Sequence, residues 1–362
     1  MKKIQRRDFL KAMGLTTAAL GLTACGGSGT SSTSTASSAP ASSSSAPAAS
    51  APPESAETKA APAGPPVTQF QTGELTIGDY TFKAEYIPFD VRREVCGAYH
   101  LIKADSYRGN YFFSFYNEDD DEQSAKIFEY AIQDGRLTPV EEYNIDGNDA
   151  LSIDTNGILY AMDGLDVYCY DLNSSDPEEP GDALDYWGSC YSSKDRDLTV
   201  IYRTSALVLV QDGEYTELTL EGDNEIGPFY SMSSLNLSGD ELLTVGELES
   251  SGDDYFAAFD LEGRELARSS QPVGSFNAVM MKRPNGYLLD TGYVWELYGP
   301  DGTFLEKSLP VGEHETLCQL CGEFCTFDVF LPLEENAFLA VGHYGKASEP
   351  DEPVVFRITT DF

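Results

Sequence analysis

Short hydrophobic runs separated by polar turns recur along the chain from Val67 onward, and they predict β-strands. The runs are rich in β-branched and aromatic residues, the turns contain Gly, Asn and Asp, and no window keeps the 3.6-residue period of an amphipathic helix. A polar turn leads into an apolar run at six places, and the first strand residues are Tyr111, Ile158, Leu198, Glu241, Tyr287 and Ala337. The spacing between them is about 40 to 50 residues.

A second strand-turn-strand signal follows four of these runs. Its turns are the dipeptides Asp134-Gly135, Asp212-Gly213, Glu262-Gly263 and Asp301-Gly302. Such dipeptides supply the positive φ angles that tight β-hairpins need. In the second repeat the longer segment 173–182 stands in place of this turn.

A period of this length holding four strands is typical of a β-propeller blade. Residues 67–362 therefore resemble six-bladed propellers in pattern, without the Trp-Asp and Gly-His pairs of the commonest repeat family. The chain stops after 353–358, the third strand of the sixth repeat, and we expect segment 74–86 to supply the fourth and close the ring. Seven blades, or a pair of β-sandwiches, are the alternatives.

The N-terminus has the features of an export signal. Five basic residues precede or enter a 13-residue apolar run, which is too short to span a bilayer. Arg6 and Arg7 lie in a stretch that resembles the twin-arginine motif, with Gln5 where a hydroxyl residue usually stands. The run ends at Leu22-Thr23-Ala24-Cys25, which resembles a lipobox, so we expect a signal peptide over 1–24 and lipidation of Cys25. The ordinary route for unfolded chains is the alternative to twin-arginine export.

Residues 25–66 predict a tether between this anchor and the propeller. The segment consists almost entirely of Ser, Ala, Pro, Thr and Gly, so it has little apolar surface to bury and is expected to be disordered. The lipid on Cys25 would hold the protein on the outer face of the bacterial cytoplasmic membrane, exposed to the cell wall.

The charge of the chain belongs to the predicted propeller. The whole chain has 60 acidic and 23 basic residues, a net charge of −37, and residues 67–362 alone carry −40. This excess disfavours nucleic acid and anionic lipid surfaces as partners, because both would be repelled.

In propellers, the segments that join blades and the segments that join the second and third strands of a blade lie on the same face. Many of the acidic residues fall in these segments, so we expect them to gather on that face. Aromatic residues accompany them, so the face is a candidate site for an extracellular protein, a glycan or a cation. The candidate ligand-binding residues are Asp149, Asp185, Tyr186, Trp187, Phe229 and Tyr230. Calcium is a candidate ion because it prefers carboxylate oxygens, although no EF-hand loop is present. The alternative is a solvated acidic surface that maintains solubility.

Six cysteines remain after Cys25, and their even number in an exported chain favours disulfides. Cys96 and Cys325 are the first pair to expect, because they would lie on inner strands of the first and last blades. The alternatives are buried free thiols and a zinc site of the Cys₃His type. That zinc site would use His314, Cys318, Cys321 and Cys325.

No catalytic motif appears in the folded part: there is no Gly-x-Ser-x-Gly elbow, no phosphate loop and no Ser-x-x-Lys set. The sequence therefore favours a non-catalytic binding module without a cofactor. The alternative is a metal-dependent propeller hydrolase that resembles gluconolactonases. Its channel metal would be held by side chains such as Glu94, Asn148, Asp149, Asn236 and Asn277.

Overall fold

The computed structural model describes most of the chain beyond residue 72 and one short segment near the N-terminus. The described residues are 3–4, 73–89, 99–117, 125–145, 151–163, 166–181, 189–203, 206–212, 214–221, 229–248, 250–273, 278–292, 294–308, 326–344 and 352–362. All regular secondary structure in this part is β-strand, which confirms the predicted all-β class. A search of the same residues finds no helix with the length and apolar character to cross a membrane.

Twenty-five strands form six antiparallel sheets. The first seven are β1 (Lys3–Ile4), β2 (Gly73–Ile77), β3 (Tyr80–Tyr86), β4 (Tyr99–Tyr107), β5 (Asn110–Asn117), β6 (Ala125–Gln133) and β7 (Arg136–Tyr143). The next seven are β8 (Leu151–Ile153), β9 (Ile158–Asp163), β10 (Asp166–Asp171), β11 (Ser189–Ser192), β12 (Thr199–Arg203), β13 (Ala206–Gln211) and β14 (Glu214–Leu218). Eight more are β15 (Phe229–Ser238), β16 (Glu241–Leu248), β17 (Asp254–Asp260), β18 (Glu265–Arg268), β19 (Val279–Arg283), β20 (Gly286–Asp290), β21 (Trp295–Tyr298) and β22 (Phe304–Lys307). The last three are β23 (Thr326–Glu334), β24 (Ala337–Tyr344) and β25 (Glu352–Thr360).

The six sheets are the blades of a closed propeller. Blades 1 to 5 consist of β4–β7, β8–β10, β11–β14, β15–β18 and β19–β22, and blade 6 contains β23–β25. The first strand of each blade contacts the first strands of both neighbouring blades, so six inner strands surround a central axis. The prediction of six blades is confirmed, and each predicted apolar run is the second strand of a blade.

Two N-terminal strands close the ring. β3 pairs antiparallel with β25, from Phe356↔Tyr86 to Thr360↔Phe82, and β2 continues the same sheet outward. The prediction that segment 74–86 completes the last blade is therefore confirmed, and this blade has five strands. One pairing was not predicted: β1 lies on the outer edge of blade 3, with Lys3 opposite Thr216 in β14.

The hairpin turns that the sequence predicted have the expected backbone angles at the residues that the structure describes. Asp134, Gly135 and Asp212 all have positive φ angles, as the hairpin dipeptides predicted.

The described part of blade 2 has three strands rather than four. After β10, the Ser174 N–H donates to the Asp171 carbonyl at 3.0 Å and the Gly181 N–H donates to the Cys169 carbonyl at 2.8 Å.

The core consists of six hydrophobic clusters, and each lies between two neighbouring blades. Strand β20 is apolar at consecutive positions because both of its faces are buried. Tyr287 and Leu289 pack toward blade 4, whereas Leu288 packs toward blade 6. A strand buried on both faces loses the hydrophobic-polar alternation of a half-exposed strand.

Side chains join the inner strands across the gaps between blades. Three residues at alternate positions of β15 bond to the backbone of β19: Ser234 Oγ accepts from Ala278 N–H, Asn236 Nδ2 donates to the Met280 carbonyl, and Ser238 Oγ accepts from Lys282 N–H. Buried backbone groups need partners, and neighbouring blades do not form a continuous ladder here. The polar residues at every second position of β15 are thus explained by blade-to-blade bonding.

Replacing Gly302 by alanine is expected to destabilise the protein far more than replacing Gly135. Both glycines have similar φ angles, +81° and +76°, so both substitutions carry the left-handed backbone cost of about 1–2 kcal/mol. A Cβ on Gly302 would also lie 2.1 Å from the backbone oxygen of Arg268 in blade 4, whereas one on Gly135 meets nothing within 4 Å. Urea denaturation should give at least twice the loss for Gly302→Ala, and equal losses would contradict this packing.

Candidate functional site

The inner strands enclose a cavity of about 640 Å³ along the propeller axis, and all six blades contribute to its wall. We call the end of the ring where the inner strands begin the upper face. Because successive strands are antiparallel, the segments between blades and those between second and third strands lie at this face. The topology thus agrees with the expected placement of the joining segments.

Most of the predicted ligand-binding residues lie outside the described residues. These are Asp149, Asp185, Tyr186 and Trp187, which belong to the segments entering β8 and β11. Phe229 and Tyr230 are the first two residues of β15, at the upper end of an inner strand. The role of all six as a site stays a prediction.

The polar side chains of the channel wall are largely occupied by structural contacts. Asp105 is the clearest case: Oδ2 accepts from Ile153 N–H at 2.7 Å, and Oδ1 accepts from Ser106 N–H at 2.7 Å. The same Oδ1 lies 2.5 Å from Lys194 Nζ of blade 3. Ser152 Oγ likewise accepts from the backbone of blade 3. These contacts tie blades 1 and 3 together across the short inner strand β8.

A carboxylate-imidazole pair occupies the upper part of the wall in blade 6. Asp328 Oδ2 lies 2.9 Å from His343 Nδ1, and both side chains are about one quarter exposed. Asp328 lines the cavity, so this pair can present a negative or proton-donating group to a ligand. Sequence reasoning missed it because the partners are 15 residues apart on adjacent strands.

A buried carboxyl group lies near that pair. Asp290 is only 2% exposed at the end of β20, and burial raises its pKa to about 7, with the nearby Asp328 adding to the rise. The Gly292 N–H, at 2.8 Å from Oδ1, and the Trp295 indole act in the opposite direction. Asp290 Oδ2 and Trp295 Nε1 are both buried without a hydrogen bond of ordinary geometry. Asp290 therefore keeps its proton at far higher pH than an exposed aspartate.

Of the residues proposed for a metal-dependent hydrolase, the described part of the chain contains only Asn236. Asn236 is committed to backbone bonds, because Nδ2 donates to the Met280 carbonyl and Oδ1 accepts from Leu237 N–H. Glu94, Asn148, Asp149 and Asn277 lie outside the described residues. Among the residues described, no three His, Cys, Asp or Glu side chains meet as a metal site requires.

The cysteine predictions are tested at only two positions. Cys169 and Cys190 are present as thiols near one another between blades 2 and 3, and burial raises the pKa of Cys190 strongly. The proposed pair Cys96 and Cys325 lies outside the described residues, as do the zinc candidates His314, Cys318 and Cys321. Blades 1 and 6 are neighbours in the ring, as the Cys96–Cys325 pairing requires.

Comparisons with known proteins give only distant structural similarities. No protein-family model and no curated protein matches the chain. A protein of unknown function from Dyadobacter fermentans is 12% identical with a TM-score of 0.48, covering 81% of this chain and 100% of that one. Sqt1 from Chaetomium thermophilum is 12% identical with a TM-score of 0.42, covering 75% and 70%. BamB from Moraxella catarrhalis is 9% identical with a TM-score of 0.39, covering 72% and 85%. Such distant similarities carry no argument about function.

Proposed function

We propose that the chain is an exported, lipid-anchored binding module. Cys25 would carry the lipid, residues 25–66 would form the tether, and the propeller would bind an extracellular protein, glycan or cationic ligand without chemical turnover. The route through Arg6 and Arg7 would place the protein outside the cytoplasmic membrane.

The observation that carries the proposal is the closed ring with a cavity at its axis. Six inner strands line that cavity, and the hydroxyl groups of Ser152, Ser234 and Ser238 are occupied by bonds between blades. The segments that the strand order brings to the upper face contain the acidic and aromatic residues predicted to contact the ligand. A rigid scaffold carrying variable connections is a common basis for recognition.

The test is capture of ligand from cell-envelope material by the mature protein, residues 25–362, and by two variants. Tyr186→Ala/Trp187→Ala removes aromatic surface from the proposed upper-face site, so the captured partner should be lost, since buried aromatic contacts often dominate such interfaces. Tyr107→Ala is the matched control, because Tyr107 ends β4 at the opposite end of the ring. Capture that survives the double substitution, or is lost equally in the control, would refute the proposed face.

A further inference from the structure

One lysine on the channel wall differs from the other half-buried lysines. Lys103, in the inner strand of blade 1, is half buried, and its ammonium lies over the ring of Tyr191 in blade 3, 5.8 Å from the ring centroid. Both residues line the central cavity. The side chain therefore reaches past blade 2 and holds a positive charge inside the channel.

The charge of Lys103 has no carboxylate partner among the described residues. Asp105 lies two positions along the same strand face, but its oxygens are engaged by two backbone N–H groups and by Lys194. The other half-buried lysines in the described part are both ion-paired: Lys194 with Asp105 at 2.5 Å and Lys126 with Glu142 at 2.8 Å. Lys103 is the exception in a domain where carboxylates greatly outnumber cations.

An ammonium that is half withdrawn from water loses hydration, and an aromatic ring replaces only part of it. A hydroxyl on the same wall can assist an anion bound there: Ser189 precedes Tyr191 by two positions on the same strand and lines the same cavity, and its side chain makes no hydrogen bond within the described residues. A lone cation and a hydroxyl donor at one wall of a cavity suit a ligand oxyanion.

We propose that Lys103 and Ser189 form an anion-binding subsite in the channel, with Tyr191 holding the ammonium in place. Its ligand group is a carboxylate or a phosphate, the chemistry that an ammonium recognises. The proposal rests on the proposed binding function and narrows it: the part of the ligand that enters the channel is anionic, and cationic parts of the ligand are confined to the acidic upper face.

Titration calorimetry of the full-length protein with sodium glucuronate, inorganic phosphate and glucose tests the subsite. The wild type should bind glucuronate or phosphate more tightly than glucose, and the preferred anion identifies the source of the charge. Lys103→Gln should weaken anion binding by about tenfold or more, because it removes a charge-assisted hydrogen bond. Lys103→Arg keeps the charge and should retain most of the binding.

The matched control is Lys126→Gln, which removes a half-buried lysine that is ion-paired outside the channel. It should bind both anions as the wild type does. The subsite is refuted if the wild type binds neither anion at concentrations up to about 10 mM, or if Lys103→Gln binds as tightly as the wild type. The titration does not need the partner captured from cell-envelope material. It can therefore fail while the capture experiment succeeds, and the two proposals are tested separately.

Discussion

Replacing Phe82 by alanine is expected to lower the free energy of unfolding by about 3–5 kcal/mol, the usual cost of removing a fully buried phenylalanine. Phe82 lies in β3, the strand that closes the ring, and its side chain is 0% exposed. Its ring packs edge-to-face on Trp295 of blade 5 at 5.4 Å and lies 6.4 Å from Phe362 at the end of the chain. One side chain thus links the N-terminal strand, the C-terminal residue and the neighbouring blade.

The matched control for this prediction is Phe304→Ala. Phe304 begins β22, the outermost strand of blade 5, and is only partly buried against Tyr298. Its removal leaves a cavity that solvent can fill, so the loss should be less than half of that for Phe82. Urea denaturation of both variants measures the difference. Similar losses would mean that the closing strand contributes no more to stability than an edge strand does.

A second large effect is expected from pH, through Asp290. Its pKa is about 7 in the folded protein and 3.8 in its ordinary state, so between these values the folded protein holds a proton that the unfolded chain has released. Stability linked to this group is therefore complete below about pH 4 and declines as pH rises to about 7, by a total on the order of 4 kcal/mol. Above that pH the penalty of a buried charge is fully present.

Asp290→Asn tests this linkage because an amide keeps the acceptor for Gly292 N–H and cannot ionise. The free energy of unfolding at pH 5 and pH 8 should differ less in Asp290→Asn than in the wild type, by about 2–3 kcal/mol. Asp301→Asn is the control: hydrogen bonds from Thr303 lower the pKa of this exposed aspartate, so removing it should leave the decline in place. A wild-type decline that persists unchanged in Asp290→Asn would show that Asp290 does not cause it.

The local patterns in the sequence predicted the architecture because each is a short-range property. Asp134-Gly135 specifies a hairpin through positive φ angles, and the spacing of six apolar runs gives six blades. Closure by segment 74–86 followed from counting strands, since a blade that ends at its third strand needs one more. The described part of blade 2 has three strands where four were predicted, because segment 173–181 after β10 contains turns and no strand.

The candidate site was predictable only in outline. Tyr186 and Trp187 lie outside the described residues, so their part in the site stays a prediction. The pairing of Asp328 with His343 depends on the register between β23 and β24, and the approach of Lys103 to Tyr191 crosses from blade 1 to blade 3. Residue type and spacing along the chain therefore do not predict these contacts.

The sequence by itself determined the all-β class, the six-fold repeat, the hairpin turns and the closing strand, because strand propensity and turn geometry act over a few residues. The tertiary structure decided which polar groups form hydrogen bonds or ion pairs and which do not. Asp105 and Asn236 make structural bonds between blades, burial raises the pKa of Asp290, and Lys103 has no carboxylate partner among the residues that the structure describes. These properties arise from distance and desolvation, which exist only once the ring has closed.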